Sequence, residues 1–222
     1  MGQALLRLAA AQAETFDVVG AVSRKPAQRV IDGVPQFAAS ELNGAPAFDV
    51  LVDFSLPEAF DPALGLCVQR GAALVSGTTG LSEAQLAAMR AAVQKIPLLW
   101  ASNFSLGVAV LAELVERAAT ARPGWDCATA EPHHTQKKDA PPGTALTLGQ
   151  AAESAGATVH YASLRAGDIV GEHLVQFTGL GERIELVHRA TNRDIFARGA
   201  LHVAARLAGK PAGSYRVRDL LD

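Results

Sequence analysis

Apolar positions along this 222-residue chain alternate between two periods. Leu5, Leu6, Leu8, Ala9 and Ala13 form a stripe of helical spacing that begins almost at residue 1. The run 16–22 reads as a strand, and a polar, turn-rich stretch through Gly33 and Pro35 follows it. Residues 48–54 make a near-continuous apolar strand. Pro57 and Glu58 suit the first turn of a helix that runs to about Arg70 and closes on Gly71. A strand is predicted at 72–75, a helix at 82–94 with Ser82 as its N-cap, and a strand at 96–100. Short apolar strands alternating with helices predict an α/β fold built on a parallel, doubly wound sheet.

The rhythm changes after Asn103. A helix over 106–120 leads to a strand at 127–131, a polar loop, and a helix over 144–155. Strands are expected at 159–164, 174–178 and 183–189, followed by a closing helix over 196–207 that Gly209 and Pro211 stop. A parallel half followed by a strand-rich half argues for two domains. The first would comprise 1–103 and 193–222. The second, 104–192, would be a smaller α+β domain with a mixed or open sheet.

Composition narrows the classes. A hydrophobic fraction of 49% with 19% charged residues excludes a disordered chain. Twenty Lys and Arg against 22 Asp and Glu give a net charge of −2, so the basic footprint of a nucleic-acid binder is absent. Cys67 and Cys127 are too few for a disulfide framework or a four-thiolate zinc site. The apolar run 104–115 is too short for a bilayer span, and the first residues lack a basic leader pattern. A soluble cytoplasmic protein is the expectation, with no membrane or nucleic-acid partner.

The densest polar constellation is the loop from Glu131 through His133, His134, Lys137, Lys138 and Asp139 to Gly143 and Thr144. Adjacent His133 and His134 point apart on an extended backbone, which disfavours a metal site. A solvated surface loop is the plain alternative. An acid/base and anion site is the sharper one, because a His and a Lys four residues apart can converge on one substrate atom. Gly143 and Thr144 open a helix whose free N–H groups favour a carboxylate or phosphate. Two more segments follow predicted strands, where a doubly wound sheet keeps its ligands: Gly77-Thr78-Thr79-Gly80, and Ala101-Ser102-Asn103-Phe104. Met89, Cys67, Trp100 and Trp125 read as packing.

These segments carry a family resemblance. The motif from Asp53 to Glu58, Gly77 to Gly80, Ser102 to Ser105, the loop from Glu131 to Thr144, the stretch from Arg165 to His173, and Arg218-Asp219-Leu220 occur in one order. Together they resemble the 4-hydroxy-tetrahydrodipicolinate (dihydrodipicolinate) reductases of lysine and diaminopimelate synthesis, over nearly the whole chain. The resemblance implies a Rossmann-like domain and a substrate domain that also builds a homotetramer. It implies NADPH or NADH as hydride source. His133 would be the acid/base histidine and Lys137 the proton donor; His134, Gly143 and Thr144 would bind the dicarboxylate. Gly77, Thr78, Thr79, Ala101, Ser102, Asn103 and Phe104 would contact the cofactor. After the strand ending at Val22 stand Ser23, Arg24 and Lys25 with no carboxylate, so Arg24 is expected to meet an adenosine 2′-phosphate.

Three departures from the family pattern stand out. Pro142 replaces a serine beside the carboxylate site, and the stretch 155–165 is short. No strand and no glycine-rich motif precede the first helix, so the natural protein is expected to begin a dozen or more residues upstream. The residues 18–22 and 50–53 are then expected to have unpaired strand edges. Two rivals remain at this point: a non-catalytic oligomeric remnant that binds no dinucleotide, and a reductase of another amino-dicarboxylate.

Overall fold

A computed structural model describes residues 1–24 and 29–222. Lys25 lies outside the described residues. The order of elements is α1 (Gly2–Ala10), β1 (Ala21–Ser23), β2 (Val30–Ile31), β3 (Val34–Ala38), β4 (Val50–Asp53), α2 (Pro57–Arg70), β5 (Ala73–Ser76), α3 (Glu83–Ala92), β6 (Pro97–Trp100), α4 (Leu106–Ala121), β7 (Asp126–His133), α5 (Gly143–Ser154), β8 (Val159–Arg165), β9 (Gly171–Gly179), β10 (Glu182–Ala190), α6 (Asp194–Leu207) and β11 (Gly213–Tyr215). Two compact units result: Met1–Ser102 with Phe196–Asp222, and Asn103–Ile195. Among the described residues no helix is long and apolar enough to cross a membrane.

The first unit is built on a parallel sheet of order β11-β6-β5-β4. Helix α2 forms where it does because Pro57 pre-sets the first turn and Gly71, at φ +66, ends it in the left-handed region. It buries Phe60, Leu64 and Cys67 in one cluster with Leu74, Ile96 and Leu98. Each of the Phe, Leu and Ile side chains among them contributes roughly 1.5–3 kcal/mol. Helix α3 starts on a reciprocal cap: Ser82 Oγ accepts from Gln85 N, and Gln85 Oε1 accepts from Ser82 N. Strand β11 comes from the C-terminal segment and pairs with β6, an element the sequence pattern does not predict.

A second, three-stranded sheet has the order β1-β3-β2. Two expectations need correction here. The polar stretch 30–38 is a β2–β3 hairpin, turned by Asp32 and Gly33 at φ +50 and +80. The run 16–22 is ladder only from Ala21, because β3 supplies partners for no residue before it. Phe16 and Val18 pack against Leu8, Ala9, Ala197 and Leu201 instead. Strand β1 bonds to β3 alone and β4 to β5 alone, so each keeps one open edge among the described residues.

The second unit is a mixed sheet of order β10-β9-β7-β8, parallel between β7 and β8 and antiparallel elsewhere. Alternation along the strands separates its faces. Cys127, Val175 and Phe177 point inward to Leu111 and Val115 of α4 and Leu148 and Ala152 of α5. Strand β7 runs to His133, two residues beyond the predicted end. Glu131 and His133 therefore belong to a strand rather than to the polar loop, and the same alternation puts both on the inward face.

Candidate active site

Pairing of β7, β8, β9 and β10 gathers the polar residues of the second unit at one end of its inward face. His133 lies opposite Arg165 in the β7–β8 register, and His173 opposite His188 in the β9–β10 register. Glu131 is 1% exposed, yet both its oxygens are occupied. Arg165 Nη2 donates to Oε1 at 2.8 Å, and Arg165 Nη1 donates to Oε2 at 2.9 Å. His133 Nδ1 lies 2.5 Å from the same Oε2. Burial alone would raise the Glu131 carboxyl; hydrogen bonds from Arg165, Ser163 and His133 outweigh it and hold the group below the usual carboxylate range. Burial pushes His133 down, and this outweighs the upward pull of Glu131, so the imidazole is neutral near pH 7. The ring of His173 meets that of His133 edge-on at 5.3 Å, and His188 follows at 6.5 Å. His188 Nε2 and Ser105 Oγ are 3.2 Å apart.

The remaining candidates of this unit lie after β7. His134 is half-buried and its carbonyl accepts from Lys137 N. Lys137 Nζ meets the Asp139 carboxylate at 2.8 Å, and this contact lowers the Asp139 pKa. Gly143 and Thr144 form the first turn of α5, where N–H groups have no partner within the helix. Pro142 is its N-cap and gives no side-chain cap. Thr144 Oγ1 accepts from Asn103 Nδ2 at 2.8 Å, so Asn103 clamps this turn. Phe104 is 2% exposed, which assigns its ring to the core.

In the first unit the carboxyl ends of β4, β5 and β6 carry the other candidates. Asp53, buried at the end of β4, accepts from Ser76 Oγ and Thr78 Oγ1, each at 2.8 Å, and from Ser55 N at 2.9 Å. Trp100 Nε1 donates to Thr78 O at 2.8 Å, so the turn is held from both sides. A Cβ on Gly77 would stand 2.3 Å from the Phe54 ring, which only glycine avoids. Thr79 and Ser102 are exposed beside this clamp, and Ala101 N donates to Ser76 O. Arg24, at the end of β1, is 77% exposed and 3.4 Å from Glu58.

Sequence reasoning left Glu131, Arg165, His173, His188 and Asp53 without roles. The available signal was spacing: Glu131 and His133, two residues apart, share a face only if the strand continues that far. Cys67 and Cys127 are buried thiols, pushed up by burial to about 12 and about 11. They are structural.

Two family descriptions match successive stretches of the chain. Residues 1–104 match the family description "Dihydrodipicolinate reductase, N-terminus", and residues 107–221 match "Dihydrodipicolinate reductase, C-terminus". The 4-hydroxy-tetrahydrodipicolinate reductase of Stenotrophomonas maltophilia (strain K279a) is 75% identical over all of this chain and 93% of its own length. That of Xylella fastidiosa (strain 9a5c) is 62% identical over the same shares. A dipicolinate-bound dihydrodipicolinate reductase from Paenisporosarcina sp. TG-14 has the same fold, with a TM-score of 0.78 and 22% identity over 97% of this chain and 92% of its own. By these matches the chain belongs to the dihydrodipicolinate reductase family, oxidoreductases that use a nicotinamide dinucleotide.

Proposed function

We propose that this chain reduces 4-hydroxy-tetrahydrodipicolinate to tetrahydrodipicolinate with NADPH or NADH, in diaminopimelate and lysine biosynthesis. The observation that carries the chemistry is the 2.5 Å contact that commits His133 Nδ1 to the buried Glu131 carboxylate. Nε2 of the same ring is then the nitrogen that handles a proton. The bound nicotinamide supplies hydride. The 4-hydroxyl departs with a ring proton as water, leaving the conjugated imine that the hydride enters. His133 and Lys137 manage the proton that must follow it, and the ammonium of Lys137 also offsets negative charge on the substrate. The first-turn N–H groups at Gly143 and Thr144, with the half-buried His134, receive a carboxylate. Asn103 keeps that turn in place through Thr144 Oγ1.

The first unit fits a dinucleotide at the ends of its parallel strands. Gly77, Thr79, Ala101 and Ser102 offer main-chain groups and hydroxyls there, while Thr78 is buried and holds the turn through Asp53. Arg24 is exposed and only loosely paired with Glu58, so a 2′-phosphate can replace that carboxylate. NADPH should therefore serve at least as well as NADH. A homotetramer is part of the same reading. The outward face of the mixed sheet exposes Leu164 and Val187, apolar positions suited to contact with a second copy. Two variants test the proton chemistry. His133→Gln and Lys137→Ala should each lower turnover by roughly 10² or more while the fold survives. Near-normal turnover in both would remove this segment from the mechanism.

A further inference from the structure

The hydrogen bonds around Glu131 do more than neutralise a buried charge. We propose that Glu131 and Arg165 are a positioning pair that fixes His133 in one tautomer and ties the Lys137 segment to the strand carrying it. The inference rests on reading His133 as the proton-handling residue, and its test separates the two.

An ionised carboxylate only accepts hydrogen bonds, so Nδ1 of neutral His133 carries the hydrogen and Nε2 keeps its lone pair. Arg165 makes this arrangement permanent. Its two-pronged contact engages both oxygens of Glu131 and leaves the carboxylate one orientation. The same guanidinium reaches further: Nη2 donates to Asp139 O at 2.6 Å, while the Asp139 side chain holds Lys137 Nζ. One side chain on β8 thus joins the histidine of β7 to the segment bearing the lysine. Lysine has a single charged head and cannot make both prongs and the bridge. Gly171 completes the arrangement from β9, since a Cβ there would stand 2.8 Å from His133 Nε2. The groups that act on His133 electrostatically are Glu131 from β7, Arg165 from β8 and Lys137; His173 from β9 packs against its ring, with His188 of β10 behind it.

The test uses protein labelled with 15N-histidine, together with steady-state kinetics. In the parent, the His133 signals should report a single Nδ1–H tautomer. Glu131→Gln can present either a carbonyl or an NH2 group to Nδ1, so a tautomer mixture should appear. Its kcat should fall on the order of 10²-fold, with KM changing less than about threefold. Glu131→Asp, which keeps the acceptor, should restore the tautomer and part of kcat. Arg165→Lys should keep the tautomer but lose about tenfold in kcat, and it carries the test if Glu131→Gln does not fold. An unchanged tautomer and parental kcat in Glu131→Gln would overturn the proposal, as would parental kcat in Arg165→Lys. A shifted tautomer with His133→Gln still fully active leaves the pair standing and refutes the role of His133 itself.

Discussion

Acid should weaken the second unit through His173. This ring is 5% exposed, and neither of its nitrogens has a hydrogen-bond partner among the described residues. Burial lowers its pKa to about 4, and the neighbouring His133 and His188 push the same way. Above the ordinary value of 6.5 the group is neutral in folded and unfolded chains alike, and pH has no leverage. Between 6.5 and about 4 the unfolded chain takes up a proton that the folded chain refuses, so stability falls as pH falls. Integrating that difference gives a loss of about 2 kcal/mol between about pH 8 and pH 5, and about 3 kcal/mol by about pH 4. His133 and His188, also pushed down by burial, add to it in the same direction. The assay is urea unfolding of the parent and of His173→Phe at about pH 8 and pH 5, at one protein concentration. The phenyl ring keeps a planar group against His133 but cannot titrate. The variant should lose about 2 kcal/mol less than the parent over this interval. Equal losses in the two proteins would refute the reasoning.

Two further outcomes follow from the first unit. Asp53→Asn removes one charged acceptor from Ser76, Thr78 and Ser55, and should cost about 1–3 kcal/mol; because the turn at Gly77 loosens, NADPH affinity measured by fluorescence titration should fall with the urea midpoint. Arg24→Ala should weaken NADPH more than NADH in the same titration, and equal losses would mean that Arg24 does not read the 2′-phosphate.

Much of this fold is legible in local pattern. Helix α2 announces itself by Pro57 and Gly71, and α3 by Ser82 and Gln85, because caps are set by neighbours in sequence. Pairing is not local, and there the reading falls short. Apolar residues from Phe16 to Val22 signal burial, but only Ala21–Ser23 finds a ladder; the rest is buried by helix contacts. Pro35 disguises the β2–β3 hairpin, although Asp32-Gly33 is the turn pair such hairpins favour. Strand β11 has three residues, without alternation to mark it. The candidate site divides in the same way. His133, Lys137, Gly143 and Thr144 are close in sequence and stand out as one motif. Glu131 and Arg165 meet only because β7 and β8 pair in parallel, and His173 reaches His133 only through the register of β9. No spacing rule encodes those encounters.

The most direct measurement follows oxidation of the reduced nicotinamide while 4-hydroxy-tetrahydrodipicolinate is generated in place by an auxiliary synthase. Oxidation of NADPH or NADH should require both this chain and the synthase product, and should collapse in His133→Gln and Lys137→Ala. Oxidation that ignores the substrate, or none at all from folded protein with bound dinucleotide, would contradict the assignment as a reductase of this dicarboxylate.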